Sequence, residues 1–439
     1  MTANAIEKRG WENMKATQKV AKDWAIHASK QVVACTSELV LEGFKGPGTQ
    51  QFGKNPLWEA VQKTGSALWL DTGDREAAGK LWSSELSGLT TNNTLVNQVV
   101  QTGALDELIK RAAKRLRDTI SGISQEQLVI EVGFVLNAHV ALDLVQTFGC
   151  VVSVEVHPML ANDIEGTLVF ARRYHAISRS HFLVKVPLTP DGYLAARRLS
   201  AETIPVNYTL GFSARQDYLA ALFSRPRYVN VFLGRLNAVV ADNGLGDGKY
   251  VGERATMASQ RGVRRARERF RDLPTRQLAA SMRSGQQVAD LAGVDALTMP
   301  PKAAEEFLKL NIPPHQIRSQ VDTEYRVTLH GGKSTAEAGL DVLWDITTEF
   351  ESFVDKLLQA KTDDWDGAGL IEFARENGAP DLFHAWAPEE VAEIRAHGKI
   401  PDLARWQGKV ALDDLMTMCG LQSFAADQTA LDQRIATLI

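Results

Sequence analysis

The sequence predicts an α/β fold, a (β/α)8 TIM-type barrel with helical extensions at both ends. Eight short apolar runs lie between about residues 67 and 301: ALWLDTG, GLTTNN, VVSVEVHP, HFLVKVP, TIPVNYTL, YVNVFLGR, LAASMR and ALTMPP. Longer stretches of helical periodicity separate most neighbours. Successive strands must therefore run parallel, because a parallel pair needs a long crossover. Eight such units favour closure over an open sheet. Polar residues sit late in the runs, at the strand ends where barrels of this kind place their chemistry.

Taken in order, residues 10 to 65 carry Val20, Trp24, Ile26, Val32, Val33 and Leu39 at roughly helical spacing, which predicts helices. The stretch GFKGPGTQQFGKNP breaks that pattern and reads as a loop. The first two strands follow, and the segment after GLTTNN is long enough for several helices before the third strand. Beyond Ser334 the chain is helical and charged. DITTEFESFVDKLLQ, WDGAGLIEFARENGAP and the closing DQTALDQRIATLI are helix patterns, as is APEEVAEIRAHGKIP, with Pro388 near its start and Gly398 near its end. The expected organisation is an N-terminal helical segment (1–66), a barrel (67–320) and a C-terminal helical extension (321–439).

The chain has 439 residues, 44% of them hydrophobic, enough for one large core or two modest ones. A barrel takes about 250 residues, which leaves the remainder for the two ends. A net charge of −4 offers no global attraction to nucleic acid or an anionic membrane. No continuous apolar run approaches the ~18 residues of a membrane-spanning helix, and the N-terminus lacks the apolar core of a secretory signal. Cys35, Cys150 and Cys419 are scattered, which suggests neither a disulfide framework nor a zinc site. The expectation is a soluble cytoplasmic protein with no nucleic-acid or membrane partner. The histidines form no HExxH pattern or ligand cluster, so no metal is expected.

Three other patterns carry little. GGKST at 331–335 would need glycine at position 327 to make a phosphate loop, and Val327 stands there. GLGDG at 244–248 lacks the strand-to-helix setting of a dinucleotide fingerprint and reads as a flexible loop or lid after the sixth strand. RGVRRARERFRD reads as a solvated barrel helix.

The polar residues late in the runs are the candidates for chemistry. They are Asp71, Asn92, Glu155, Lys185, Asn207, Thr209, Asn230, Phe232 with Arg235, and Ser281 with Arg283. Lys185 in Val-Lys-Val-Pro is the most informative. Burying an ammonium in an apolar strand is costly, which favours the neutral, nucleophilic amine. Attack on a ketone would give a Schiff base, an electron sink for carbon–carbon cleavage. Such a reaction needs one group for the departing hydroxyl proton and another to dehydrate the carbinolamine, and Asp71 and Glu155 are suitable types. Arg235 and Arg283 suit a phosphate.

Together these residues resemble the transaldolase family, over roughly residues 67 to 301. WLDTGD resembles the segment carrying the proton-handling Asp, which implies that role for Asp71. LTTNNTL resembles TTNPSL and implies that Asn92 contacts substrate hydroxyls. VSVEVHPMLANDIEGT implies that Glu155 is the acid/base Glu, followed by the D-x-E pair Asp163 and Glu165. FLVKVPLTPDG implies a Schiff base at Lys185. VNYTLGFS assigns Asn207 to substrate and Thr209 to the water that Glu155 uses. SMR implies Ser281 and Arg283 at the phosphate, with FLGR supplying Phe232 and Arg235.

The resemblance implies a transferase that needs no cofactor. It would move a dihydroxyacetone unit from sedoheptulose 7-phosphate or fructose 6-phosphate to an aldose phosphate, as in the pentose phosphate pathway. Two departures bear on it: Asn93 stands where proline is usual, and Asn230 where many members have a donor-contacting serine. Phe232 agrees with transferases, whereas relatives that only cleave fructose 6-phosphate have tyrosine.

Structural readings stand beside these. Lys185 also fits a snorkelling strand-end lysine, Asp71 a helix cap, Glu155 a core hydrogen-bonding residue, and the two arginines structural ion pairs. The alternative functions are an aldolase or transferase of the same chemistry acting on another sugar, and a non-catalytic barrel scaffold. The long C-terminal extension is expected to pack over the barrel or to form a homo-oligomer contact.

Overall fold

A computed structural model describes residues 24–439; the helical pattern around Val20 lies outside them. Eight parallel strands close into a barrel in chain order. They are β1 (Ala67–Asp71), β2 (Leu86–Thr90), β3 (Val151–Glu155), β4 (Phe182–Pro187), β5 (Val206–Thr209), β6 (Tyr228–Phe232), β7 (Arg276–Ala280) and β8 (Ala296–Met299). Each falls within one of the eight apolar runs, apart from the first residues of β2 and β7. The strands are covered by helices outside and packed by side chains inside, so both faces are buried and the runs read as nearly continuous apolar stretches.

The barrel floor is filled by Trp69, Leu183, Tyr228, Leu278 and Ala296. Trp69 meets the Tyr228 ring edge-on at 4.8 Å. The indole fits only because β2 carries glycine beside it: a Cβ on Gly88 would come within 2.6 Å of the ring. This apolar plug closes one end and leaves the polar residues at the other.

Between β2 and β3 lie three helices, Asn93–Gln101, Asp106–Thr119 and Gln125–Phe148. The last is the longest of the three. It is 24 residues long and apolar enough on average to cross a membrane, although 83% of its apolar window is buried inside the protein. Glu131, Asn137, His139 and Asp143 interrupt the run, which is why no continuous apolar stretch appears in the sequence. Glu131 is matched within the core: Arg173 donates to its Oε1 at 2.9 Å, and His27 Nδ1 lies 2.5 Å from the same oxygen. This pairing fastens the short helix Ala25–Ala28 to the barrel wall.

At the N-terminal end, helices occupy Lys30–Leu41 and Pro56–Lys63 on either side of the expected loop. The 244–248 loop is not a free flap. Gly246 forms an antiparallel bridge with Leu329, and the His330 N–H donates to Leu245 O at 2.7 Å. The basic segment at 261–272 largely lies on the helix Val251–Arg269, with Arg264, Arg265 and Arg269 paired to Asp322, Glu351 and Asp355.

The C-terminal extension contains helices Thr348–Gln359, Gly367–Glu376, Pro388–His397, Leu403–Trp406 and Leu412–Ala436. The closing helix, 25 residues long, begins well before the DQTALDQRIATLI pattern. Its first half, from Leu412 to Gln422, is buried on every side, as expected of a helix seated in a groove rather than on a surface.

Candidate active site

The strand register builds the site. Glu155 on β3 pairs with Lys185 on β4, and Lys185 pairs with Asn207 on β5. Parallel partners at one level point the same way, so the three side chains share one layer inside the barrel. Asp71 is likewise level with Thr90 on β2. These residues stand at the C-terminal ends of their strands, opposite the apolar floor.

A cavity of about 220 Å³ opens above this layer. Asp71, Asn92, Lys185, Asn207 and Asn230 line it, as do Phe232, Arg235, Ser281 and Arg283. Nine of the eleven candidate residues are thus brought together; Glu155 and Thr209 lie deeper, at 2% and 0% exposure. Lys185 is also buried. Its Nζ donates to the Thr91 carbonyl at 3.3 Å and stands 3.8 Å from Glu155 Oε2. A lysine pointing inward with a carboxylate beside it is not a snorkelling one.

Neither Glu155 oxygen accepts a hydrogen bond of ordinary geometry, and Asn207 Oδ1 and Thr209 Oγ1 also lack partners among the described residues. Buried acceptors are usually satisfied, so this group is set up for something other than packing. Burial pushes the Glu155 carboxyl up to about 7, against the pull of the Lys185 charge. The carboxyl of Asp71 is also raised by its depth in the barrel, while Lys185 and the Thr90 hydroxyl, which donates to it at 2.6 Å, draw it back. Asp71 is not the helix cap: Asp74 caps Arg75–Leu81, accepting from the Glu76 and Ala77 N–H groups. Asn92 does cap its helix, through the Leu95 N–H at 2.8 Å. Asn93, in place of the usual proline, opens that helix and donates to the Val156 carbonyl.

Two guanidiniums meet at another part of the lining. Arg235 is 7% exposed. Burial and the neighbouring Arg283 lower it to about 10, and its Nη1 has no hydrogen-bond partner. A buried guanidinium held beside a second, exposed one is unfavourable unless an anion joins them. Ser281, just after β7, has φ +66°, a left-handed conformation rarely adopted by serine; such strain is often found at functional sites.

Asn230 lines the cavity, yet both ends of its amide engage the backbone. Oδ1 accepts from the Gly211 N–H at 3.2 Å, and Nδ2 donates to the Tyr208 carbonyl. Asp163 and Glu165 lie elsewhere: Asp163 caps the helix Ile164–Ile177, and Glu165 pairs with Arg198.

Sequence reasoning missed several lining residues. Thr90 bridges Asp71 and Thr298, whose hydroxyl is 2.7 Å away. Ser423, Phe424 and Asp427 come from the closing helix, and Lys399 from the extension as well. Nothing local marks these four, because the strands whose cavity they line lie far away in the chain. Thr94 Oγ1, for example, donates to Asp427 Oδ2 at 2.5 Å across 333 positions.

Residues 68–366 match the sequence profile of the transaldolase/fructose-6-phosphate aldolase family. A probable transaldolase of Thermus thermophilus is 33% identical over 246 residues, covering 55% of this chain and 90% of the relative. A transaldolase of Xanthomonas euvesicatoria is 30% identical over 256 residues, covering 55% and 75%. One of Chlamydia pneumoniae is 27% identical over 271 residues, covering 58% and 77%.

Proposed function

The chain belongs to the transaldolase/fructose-6-phosphate aldolase family, and on that premise we propose that it transfers a dihydroxyacetone unit from a ketose phosphate to an aldose phosphate through a Schiff base on Lys185. The observation that carries this reading is the position of Lys185 Nζ, buried in a polar cavity and 3.8 Å from Glu155 Oε2.

Lys185 attacks the C2 ketone of fructose 6-phosphate or sedoheptulose 7-phosphate. The carbinolamine then loses water, and Glu155, with a carboxyl near 7, exchanges the proton through a water held with Thr209. A group titrating near the working pH both gives and takes protons efficiently. Asp71 takes the C4 hydroxyl proton as the C3–C4 bond breaks, and an aldose phosphate leaves. The three-carbon enamine stays on Lys185 until an acceptor aldehyde bonds to C3 and the steps reverse. Asn92 and Asn207 hold sugar hydroxyls, while Arg235, Arg283 and Ser281 bind the phosphate. Phe232 supports transfer over simple cleavage.

A second reading keeps the chemistry and changes the sugar. Asn230 favours it: with its amide committed to Gly211 and Tyr208, it presents the donor with a different face from a serine hydroxyl.

Borohydride trapping with fructose 6-phosphate, followed by peptide mass mapping, tests both. A reduced three-carbon adduct on Lys185 is the expected result. An intact six-carbon adduct would point to another donor. No adduct with either ketose phosphate would overturn the assignment and favour a non-catalytic barrel.

A further inference from the structure

The closing helix Leu412–Ala436 lies outside the segment that matches the family, yet it reaches the cavity through Phe424. The side chain is buried. Its ring centroid stands 6.0 Å from Lys185 Nζ and 5.4 Å from the Arg235 guanidinium carbon. The Phe232 ring is 6.4 Å away. A carbon chain joined to Lys185 and reaching toward Arg235 must pass this ring. The helix is fixed in place: Asp413 accepts from Ser213 and Arg215, and the Thr417 hydroxyl donates to Leu210 O at 2.9 Å. Phe424 is therefore a standing wall of the cavity.

We propose that Phe424 is a specificity-determining residue: it shields the three-carbon enamine on Lys185 from water and so decides whether that unit is transferred or released. The inference rests on the Schiff-base reading above. The enamine holds a nucleophilic electron pair at C3. When an acceptor is present, that pair forms the new bond to the aldehyde carbon, and the aldehyde oxygen takes a proton. When water reaches C3 instead, the pair takes a proton from it. The resulting iminium adds hydroxide at C2, and breaking the C2–N bond releases dihydroxyacetone and the free amine. The water consumed equals the water lost when the Schiff base formed, so the two fates differ only in what reaches C3. Two aromatic rings from distant parts of the chain, Phe232 and Phe424, keep that approach dry.

The test uses the full chain with fructose 6-phosphate and erythrose 4-phosphate, and measures dihydroxyacetone released against sedoheptulose 7-phosphate formed. Phe424→Ala is expected to raise that ratio by about fivefold or more, since it opens the wall to water. Phe424→Leu, which keeps the apolar bulk, stays near the wild-type ratio. Equal loss of both products with an unchanged ratio means that Phe424 only holds the helix, and overturns the inference. Should the alanine variant not fold, Phe424→Tyr replaces it. Its hydroxyl brings a proton donor into the wall, so a raised ratio supports the inference and an unchanged one overturns it. Borohydride trapping of the wild type separates the two levels. No adduct on Lys185 overturns the Schiff-base reading and this inference together; an adduct with an unchanged ratio overturns this inference alone.

Discussion

Lys185 and Glu155 are register partners on adjacent strands, with Nζ 3.8 Å from Oε2. Even beside that amine, burial leaves the Glu155 carboxyl at about 7, above the ordinary value of 4.5. The native state therefore holds this proton more tightly than the unfolded chain does. Stability contributed by the protonated form is present below about 4.5 and is lost as pH rises through about 7. On that basis ionised Glu155 costs about 2–4 kcal/mol at pH 8. Glu155→Gln should be more resistant to urea than wild type at pH 8, with the advantage shrinking toward pH 5. The same substitution should remove a limb near pH 7 from the activity profile. Equal urea midpoints at pH 8 would refute the buried-carboxyl account.

The arginine pair makes a separable prediction. If Arg283 and Arg235 hold the substrate phosphate, Arg283→Ala should raise the KM for fructose 6-phosphate about 10- to 100-fold, the scale of one or two charge-assisted hydrogen bonds. Activity toward unphosphorylated fructose should change by less than about threefold. Inorganic phosphate should inhibit wild type competitively and the variant much less. Equal losses on both sugars would assign Arg283 a structural role instead.

Much of the barrel was legible because its strands are buried on both faces: ALWLD and FLVKVP are apolar runs whose only charged residues, Asp71 and Lys185, face the cavity. Parallel register then levels those residues without any further signal. The long helix Gln125–Phe148 was harder to read, since its scattered polar residues break the run while its mean stays apolar. That the extension supplies residues to the cavity was hidden, although its packing over the barrel was one of the expectations. Phe424 and Asp427 sit in a helix whose pattern gives no sign of which surface it covers, and only the folded chain brings them to Thr94 and Lys185. Asn230 marks the same limit at short range: its place on β6 was readable, while the two backbone groups that occupy its amide were not.

The core network of Glu131, Arg173 and His27 predicts a stability effect with a pH signature. Burial alone would raise Glu131, but the charge and hydrogen bonds of Arg173, with His27, hold it below the ordinary 4.5. Its contribution is present above that value and lost as pH falls. Glu131→Gln leaves Arg173, only 5% exposed, without its counter-charge, and should cost about 3–5 kcal/mol at pH 7. The loss should narrow in acid, where wild type weakens too. Replacing both partners by apolar residues (Glu131→Leu with Arg173→Met) should cost far less than either change alone. Urea midpoints for Glu131→Gln, for the double variant and for each of its single changes at pH 7 and pH 4 test this, and additive single losses would contradict it.

The tether of the closing helix can be loosened apart from the barrel. Asp413 is fully buried and accepts from Ser213 Oγ at 2.7 Å, Arg215 Nε at 2.8 Å and Arg215 Nη2 at 2.9 Å. Arg215 also reaches Asp381 Oδ2 at 2.9 Å, so one guanidinium ties the short helix after β5, Ala214–Leu219, to two points of the extension. Asp413→Ala removes these three contacts and the one from the Asp414 N–H, and leaves Arg215, 7% exposed, with only the more exposed Asp381. It should cost about 3–5 kcal/mol. The loss should appear first in the helix, because the strands keep their ladders and their apolar floor. Amide exchange in residues 412–424 should therefore speed up by at least about tenfold while exchange in β4 and β5 stays slow. If helix and strands instead exchange together at one rate, the closing helix unfolds only with the whole barrel and is not a separately tethered element.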